Sequence, residues 1–471
     1  MRVLRSFGRA ALLALLLLAT SASDARAHLG LRSSSPAAGD TVRTRITELH
    51  LGFTQNLTLD VIRLRLSDAT GREIPLGGLR YVESSLRDFV VHAGPVLWDG
   101  DYRLEWHVVG ADGHPVTGEI RFVVAGVQQA PPPADPLEGL RPIPAGPPAA
   151  LSDVESTAAL NTPWAVTVRT AHFGFLLVTV GVVVFALVVM PGAQRRVLAE
   201  SAPLEPAAVP ALSKRVAVVG MFASGLLALA TDLRIDVQAN ALFEAFGGGE
   251  AGARAFIASL QGMPWMRALV WQAYASIVSL IGFVMARRGV RWGWWVAALA
   301  VPVFVAAPGF AGHAASTEPR TAGLILDALH VLSASAWLGA LVVMFVAAIP
   351  ALRRLPNAIS GPQIAALAES FTPMALTAAA VLGVTGVAGA WLRVGSDAAA
   401  WTGPYATALQ TKMAALAIVL AAGFWNWKRV RPRLGGAEGT RALVRTTSVE
   451  LLGGALVLIA TAVLVATPLP H

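Results

Sequence analysis

The chain contains no cysteine, which excludes disulfides, thiolate metal sites and cysteine nucleophiles. Charged residues are also scarce, at 14% of the 471 residues, against about 25% in ordinary soluble domains. Common catalytic motifs are missing as well: there is no phosphate-binding loop, no Gly-x-Ser-x-Gly elbow and no His-Glu-x-x-His pair. We therefore expect no ATPase machinery, and we classify the chain as a protein that is not an enzyme.

Apolar residues are correspondingly abundant in the sequence. They make up 55% of the sequence, and several apolar runs reach about 20 residues, enough to cross a hydrocarbon core of ~30 Å. The net charge of +8 does not indicate a nucleic-acid partner, because the Arg and Lys residues cluster between apolar runs, as the positive-inside rule predicts. The clusters are Arg195-Arg196, Lys214-Arg215, Arg287-Arg288, Arg353-Arg354 and Lys428 to Arg433. The pattern predicts a membrane protein whose partner is the lipid bilayer.

The first 27 residues have the features of a signal peptide. Arg2, Arg5 and Arg9 precede a short apolar run, and Ala25-Arg26-Ala27 matches an A-x-A cleavage site. An uncleaved anchor is the competing interpretation. Cleavage would export residue 28 onwards and make His28 the first residue of the mature chain.

Residues 28–125 differ from the rest in alternating polar and apolar side chains. The alternation occurs at 48–53, 61–66, 102–108 and 120–124, with turn signals such as Asp68-Ala69-Thr70-Gly71 between strands. Many short strands in about 100 residues predict an all-β sandwich of the Greek-key type, Ig-like or cupredoxin-like. Residues 126–163, rich in Pro, Ala and Gly, predict a semi-extended linker.

Residues 164–471 predict an all-α polytopic bundle of about eight helices. The predicted spans are 166–190, 211–231, 268–286, 293–309, 324–349, 373–393, 407–427 and 448–467. If the sandwich is exported, every basic cluster falls on the cytoplasmic side. We therefore expect a multi-pass protein of the inner membrane, with the sandwich in the periplasm and the C-terminus on that same side.

His28 and the pair Asp112 and His114 contain the groups that Cu(II) prefers. A mature N-terminal histidine offers an α-amine and an imidazole, and Asp-x-His adds a carboxylate and a second imidazole. Three nitrogens and one oxygen suit a tetragonal Cu(II) site. On spacing alone, a turn and a solvated histidine explain the same residues.

The same residues carry a resemblance to a known family. His28-Leu29, the run from Ser33 to Gly39, and the run from Gly100 to Gly118 resemble the CopC copper-resistance family. That resemblance implies a periplasmic β-sandwich that binds Cu(II) through His28, Asp112 and His114. The sandwich has no methionine, so a thioether Cu(I) site is not expected. His50, His92 and His107 are expected to be solvated side chains on strand faces.

The membrane half resembles CopD, the inner-membrane partner of that family. The matching residues are Gly312-His313-Ala314, Asp327 to His330, Trp337-Leu338-Gly339, Gly403-Pro404-Tyr405, Lys412, Asn426, Arg445 and Glu450. The resemblance covers residues 165 to the C-terminus and implies a fused CopC–CopD protein. Arg445 and Glu450 are expected to form a charge pair at the start of the last span.

Four ionisable residues lie in or near the outer ends of the predicted spans. His313, Asp327, His330 and His172 form a candidate copper path, because ionisable groups in a membrane usually face the bundle interior. Asp327 and His330 are three residues apart and share a helix face. The alternative is a structural polar network, and Lys412 is expected to be structural because a cation repels a cation.

These features together predict periplasmic Cu(II) binding coupled to copper import across the inner membrane, in copper homeostasis and resistance. Copper is the predicted ligand, and other periplasmic copper proteins are possible partners. Two alternatives stay open: a haem-binding or redox membrane protein that uses His172 and His330, and a copper monooxygenase-like N-terminal domain.

Overall fold

A computed structural model describes two compact units, an N-terminal sandwich and a helical bundle. The described residues are 30–54, 57, 62–82, 85, 87–94, 96–110, 115–127, 161–199, 208–245, 260–312, 314, 319–394, 402–434 and 437–467.

The N-terminal unit is a two-sheet β-sandwich. The strands are β1 Leu31–Ser35, β2 Thr41–Val42, β3 Glu48–Phe53, β4 Arg63–Asp68, β5 Glu73–Ile74, β6 Leu76–Tyr81, β7 Asp88–Ala93, β8 Gly100–Val109 and β9 Pro115–Val124. One sheet has the order β1-β3-β7-β6 and the other β2-β9-β8-β4-β5, with β2 parallel to β9 and all other neighbours antiparallel.

Alternation along the strands builds the core between the sheets. In β8, Tyr102, Leu104, Trp106 and Val108 are buried while the residues between them are partly exposed. They pack with residues of the facing sheet, among them Phe53 and Phe89. The predicted all-β sandwich is confirmed, and the four alternating segments of the sequence overlap β3, β4, β8 and β9.

The second unit is a helical bundle whose helices are interrupted by π-helical turns. The π-helical turns of the described part are Phe185–Val189, Ser335–Gly339, Met344–Ala348 and Asn426–Val430. The helices are α1 Pro163–Val184, α2 Met190–Ala199, α3 Ala208–Ala245, α4 Pro264–Arg287, α5 Gly293–Ala298, α6 Val301–Phe310, α7 Arg320–Ala334, α8 Ala340–Val343, α9 Ile349–Leu352, α10 Asn357–Val394, α11 Gly403–Trp425 and α12 Ala437–Leu464.

Eight helical stretches of the described part are long and apolar enough to cross a membrane, so the chain is a multi-pass membrane protein. We number them spans 1 to 8: Pro163–Leu198, Val209–Glu244, Pro264–Arg287, Gly293–Phe310, Arg320–Leu352, Ile359–Leu392, Gly403–Arg433 and Glu438–Leu464. The predicted bundle of about eight apolar helices is confirmed, and each predicted span overlaps one of these stretches. Several helices run well past the predicted ends, because a helix continues beyond the apolar segment that hydropathy detects.

Spans 1 and 5 are in direct backbone contact at the centre of the bundle. A Cβ on Gly181 would lie 2.3 Å from the carbonyl carbon of Gly339. Small residues at such crossings let membrane helices approach closely. The contact fixes span 5, which carries Asp327 and His330, against span 1, which carries His172.

Candidate functional site

The three predicted Cu(II) ligands of the sandwich, His28, Asp112 and His114, lie outside the described residues. The strands next to them are described. Strands β8 and β9 pair without interruption from Gly100↔Val124 to Val109↔Pro115. The segment that contains Asp112 and His114 therefore connects the ends of a regular ten-residue ladder.

Trp106 and Gly118 face each other in the middle of this ladder. The Trp106 indole is 6% exposed and lies over Gly118, where an added Cβ would come 2.2 Å from its Cζ2 atom. Glycine is thus the residue that this register accepts. Gly118, the last residue of the run from Gly100 to Gly118, therefore has a packing role in the β8–β9 ladder.

Two other histidines of the sandwich meet one carboxylate on the outer face of a sheet. The Glu48 carboxylate lies 3.7 Å from His50 Nε2 and 3.4 Å from His92 Nδ1, and Arg80 donates to it at 3.1 Å. Both imidazoles are half exposed. Their predicted positions on a solvated strand face are confirmed.

The bundle holds a buried polar cluster near the end where span 1 begins, which we call the Pro163 end. His172 of span 1 is fully buried. Its Nδ1 lies 3.2 Å from Arg234 of span 2, and its Nε2 lies 2.7 Å from the side-chain amide of Gln272 in span 3. Three spans are therefore joined through one imidazole.

These contacts assign the tautomer of His172. A guanidinium N–H can only donate, so Nδ1 accepts and the ring proton sits on Nε2. The Gln272 amide oxygen has no hydrogen-bond partner among the described residues, while its nitrogen faces Nε2. A half-turn of that amide presents the oxygen to Nε2–H and satisfies both ring nitrogens. Copper or haem ligation by His172 would require breaking one of these contacts.

Two arginines accompany His172 inside the bundle. Arg234 also donates to the carbonyl of Ala311 at 3.3 Å, and its guanidinium lies over the Phe173 ring. Arg169 of span 1 donates to the Ala462 carbonyl at 2.9 Å and to Asn161 at 3.2 Å. These two guanidinium groups make the surroundings of His172 unfavourable for a copper cation.

His330 of span 5 has a different environment. Its Nδ1 lies 3.0 Å from the Thr385 hydroxyl of span 6, and that hydroxyl donates to the Val381 carbonyl at 2.8 Å. The hydroxyl oxygen therefore accepts from Nδ1–H, which leaves the lone pair of His330 on Nε2. This is the tautomer that a metal-binding histidine with a positioning partner adopts.

Asp327 and His330 contact different neighbours of span 5. A Cβ on Gly309 of span 4 would lie 3.4 Å from Asp327 Oδ2, and a Cβ on Gly386 of span 6 would lie 3.5 Å from His330 Cε1. His313 lies outside the described residues. Among the described residues, no group of three or more His, Asp or Glu side chains is placed to hold a metal ion. The membrane copper path stays a prediction.

At the opposite end of the bundle, which we call the Leu198 end, the sequence interpretation missed a buried carboxylate. Glu450 of span 8 is 3% exposed and accepts a hydrogen bond from Asn426 of span 7. The expected charge pair with Arg445 is absent between these two described residues, because Arg445 is exposed on another face of the helix. The sequence spacing could have excluded this pair, because two side chains five residues apart on a helix point about 140° away from each other.

Comparison with known proteins finds copper proteins along most of the chain. The CopC domain model matches residues 31–125, and the model for Copper resistance protein D matches residues 365–464. Copper transport protein CutJ of Bacillus subtilis (strain 168) is 24% identical over 456 residues, which cover 94% of this chain and 75% of CutJ.

The sandwich alone has nearer relatives. Copper resistance protein C of Xanthomonas campestris pv. juglandis is 33% identical over 109 residues, covering 22% of this chain and 85% of that protein. The crystal structure of CopC from Methylosinus trichosporium OB3b is 28% identical and covers 21% of this chain and 93% of that one, with a TM-score of 0.19.

Proposed function

The chain belongs to the CopC and CopD copper-resistance family, and from that membership we propose that it binds Cu(II) in the periplasm and imports copper across the inner membrane. The observation that carries the proposal is that one chain joins a CopC sandwich to eight membrane spans. Such a fusion keeps a copper-binding domain next to a membrane passage. A relative named as a copper transport protein matches both parts.

The sandwich site in this proposal consists of His28, Asp112 and His114. The α-amine and imidazole of His28, with the Asp112 carboxylate and the His114 imidazole, give a planar set of nitrogen and oxygen ligands for Cu(II). The regular β8–β9 ladder supports this assignment, since the pair Val109 and Pro115 at its end fixes the two points that the segment with Asp112 and His114 connects.

The membrane half in this proposal receives copper at the Pro163 end, through His330 with His313 and Asp327. The Thr385 contact supports His330, because it holds Nδ1–H and so selects the tautomer that a metal-binding histidine with a positioning partner adopts. His172 has a structural role in this scheme, since its ring is occupied by Arg234 and Gln272.

Copper binding is tested by electron paramagnetic resonance on the purified full-length protein loaded with Cu(II). We expect His114→Ala to change the spectrum and to weaken binding at least tenfold, because one of the nitrogen ligands is lost. His92→Ala is the matched control, as His92 is an exposed histidine of the same sandwich. An unchanged spectrum and affinity in His114→Ala would contradict the ligand assignment.

Transport is tested by whole-cell copper content with and without the protein at controlled external copper. We expect a higher content with the wild-type protein and a loss of that difference in His330→Ala, with protein level and Cu(II) binding confirmed. Equal or lower copper in cells with the wild-type protein would refute import. Orientation is tested by reporter fusions after His471, which we expect to be active outside the cytoplasm.

A further inference from the structure

Glu450 is a buried carboxylate with a neutral partner. Its Oε1 accepts from the side-chain nitrogen of Asn426, whose oxygen in turn accepts from the Thr446 hydroxyl. No ion pair with Lys, Arg or His reaches Glu450 within the part of the chain that the structure describes. An ionised carboxylate buried in a membrane bundle without a cation is costly, so this side chain requires either a proton or a bound cation.

A cavity of about 360 Å³ lies beside this carboxylate, between spans 5, 6, 7 and 8. Its polar lining includes Glu450, Asn426, Thr447 and Arg431, and its walls are mostly aromatic and aliphatic. The Thr447 hydroxyl is buried and has no hydrogen-bond partner in the described structure. Arg431 is exposed, so the cavity reaches from the buried carboxylate to the basic end of the bundle.

Glu450 is the one acidic residue among the described residues that line this cavity, and Arg431 is the one other charged residue among them. Arg445 on span 8, Lys428 and Arg429 on span 7, and Arg353 directly after span 5 are exposed at the Leu198 end. On span 6, Glu369 is 3.1 Å from Arg196 and so has its own cation.

Three of the four π-helical turns in the described part meet at this cavity. Trp337, Met344 and Asn426 line it, and each lies in a π-helical turn. Such turns interrupt the regular hydrogen-bond pattern and occur frequently at functional sites. The irregular backbone is therefore concentrated where the buried carboxylate is.

We propose that Glu450 is a proton-exchange site, and that proton movement through this cavity is coupled to copper transport. A proton fits better than a metal ion, because the cavity supplies one carboxylate among neutral amide, hydroxyl and aromatic groups, and the described residues hold no three-ligand metal group. The carboxyl of Glu450 releases its proton to water in the cavity. It takes a proton back from that water, which restores the neutral form that a buried position favours. The coupling rests on the proposed copper transport, whereas the proton site does not.

The proton site is tested on the full-length protein with N,N′-dicyclohexylcarbodiimide, which adds to a protonated carboxyl in apolar surroundings and leaves an N-acylurea. We expect mass mapping to find Glu450 modified and Glu369, the matched acid of span 6, at least tenfold less modified. Modification of Glu450 should fall as pH rises, since the carboxylate does not react. Absence of modification at Glu450, with the protein folded, would overturn the proton site.

Coupling is tested in proteoliposomes that contain a pH indicator and receive copper outside. We expect proton movement with the wild type, at least a tenfold decrease in Glu450→Gln, recovery in Glu450→Asp and no change in Glu369→Gln. Copper transport without proton movement, or wild-type proton movement in Glu450→Gln, would overturn the coupling and leave the proposed import intact. If the wild type moves no copper, the import proposal and the coupling both fail, and the carbodiimide result alone decides the proton site.

Discussion

Gly118 shows how a single residue sets the conformation next to the proposed copper ligands. Any side chain there enters the space of Trp106, since an added Cβ would be 2.2 Å from the indole. Overpacking of this kind costs about 1–3 kcal/mol. We expect Gly118→Ala to lower the unfolding free energy of the sandwich by about this amount. Thermal unfolding of the sandwich measures it.

Gly78 is the matched control for this change. It is also a strand glycine, but an added Cβ there would meet no atom within 4 Å. We expect Gly78→Ala to leave the unfolding free energy within about 0.5 kcal/mol of the wild type. Equal destabilisation by both substitutions would mean that the Trp106 contact does not decide the preference for glycine.

Asp68 makes the stability of the sandwich depend on pH in the acidic range. The hydroxyl of Thr70 donates to its carboxylate at 2.6 Å, and the backbone N–H groups of Thr70 and Arg72 add two more bonds. The Thr70 hydroxyl is the largest cause that lowers the pKa of Asp68, followed by the backbone groups, while slight burial opposes them. The stabilisation is therefore present above the unfolded pKa of about 3.9 and is lost as pH falls through the lower folded pKa.

We expect Thr70→Val to make the sandwich unfold at a higher pH than the wild type, because the Asp68 carboxylate loses its main donor. Acid titration followed by the fluorescence of Trp98 and Trp106 measures the midpoint. The isolated sandwich is suitable, since the Xanthomonas relative consists mostly of this domain. The difference in stability between the two proteins should shrink as pH falls through the lowered folded pKa of Asp68, because the carboxyl is then protonated in both, so a constant difference at every pH would contradict this cause.

Thr385 of span 6 prepares His330 of span 5 for a metal, in the proposed scheme. Removing its hydroxyl removes the acceptor for Nδ1–H and frees the ring to adopt the other tautomer. Loss of such a partner typically reduces metal affinity or activity about 10–100-fold. We expect Thr385→Val to reduce copper uptake within that range, and Thr385→Ser to retain it. Full uptake in Thr385→Val would remove His330 from the copper path.

His172 shows which property of a membrane helix the sequence does not predict, namely the partners of a buried side chain. Hydropathy and basic clusters predicted all eight spans, because apolar length and charge are local properties. Whether His172 binds a ligand or holds helices together depends on partners that lie 62 and 100 residues away, Arg234 and Gln272. No spacing rule connects them, and packing alone reveals that its two ring nitrogens are used.

The same limit applies to Glu450. Its position five residues after Arg445 suggested an ion pair, although helix geometry turns the two side chains to different faces. The amide that it contacts, Asn426, belongs to another span. The sandwich was more predictable, since period-two alternation in β8 fixes which side chains enter the core.

At the scale of the whole molecule, the proposed function makes the sandwich a tethered donor of copper. A binding domain on the same chain as its acceptor raises the effective concentration of copper at that acceptor, provided that the linker can span the two sites. This advantage matters when external copper is scarce and disappears when copper reaches the membrane site directly in excess. The membrane ligands, in contrast, are needed at every copper concentration.

We therefore expect the two halves to differ in how uptake depends on external copper. His114→Ala should lower the initial uptake rate at least severalfold at copper concentrations below the sandwich dissociation constant, and should match the wild type at saturating copper. His330→Ala should lower the rate at both. Initial rates of isotopic copper uptake over a concentration series, at equal protein level, measure this. A constant fractional loss in His114→Ala at all concentrations would mean that the sandwich belongs to the passage itself. No loss at any concentration would mean that the membrane half acquires copper without it.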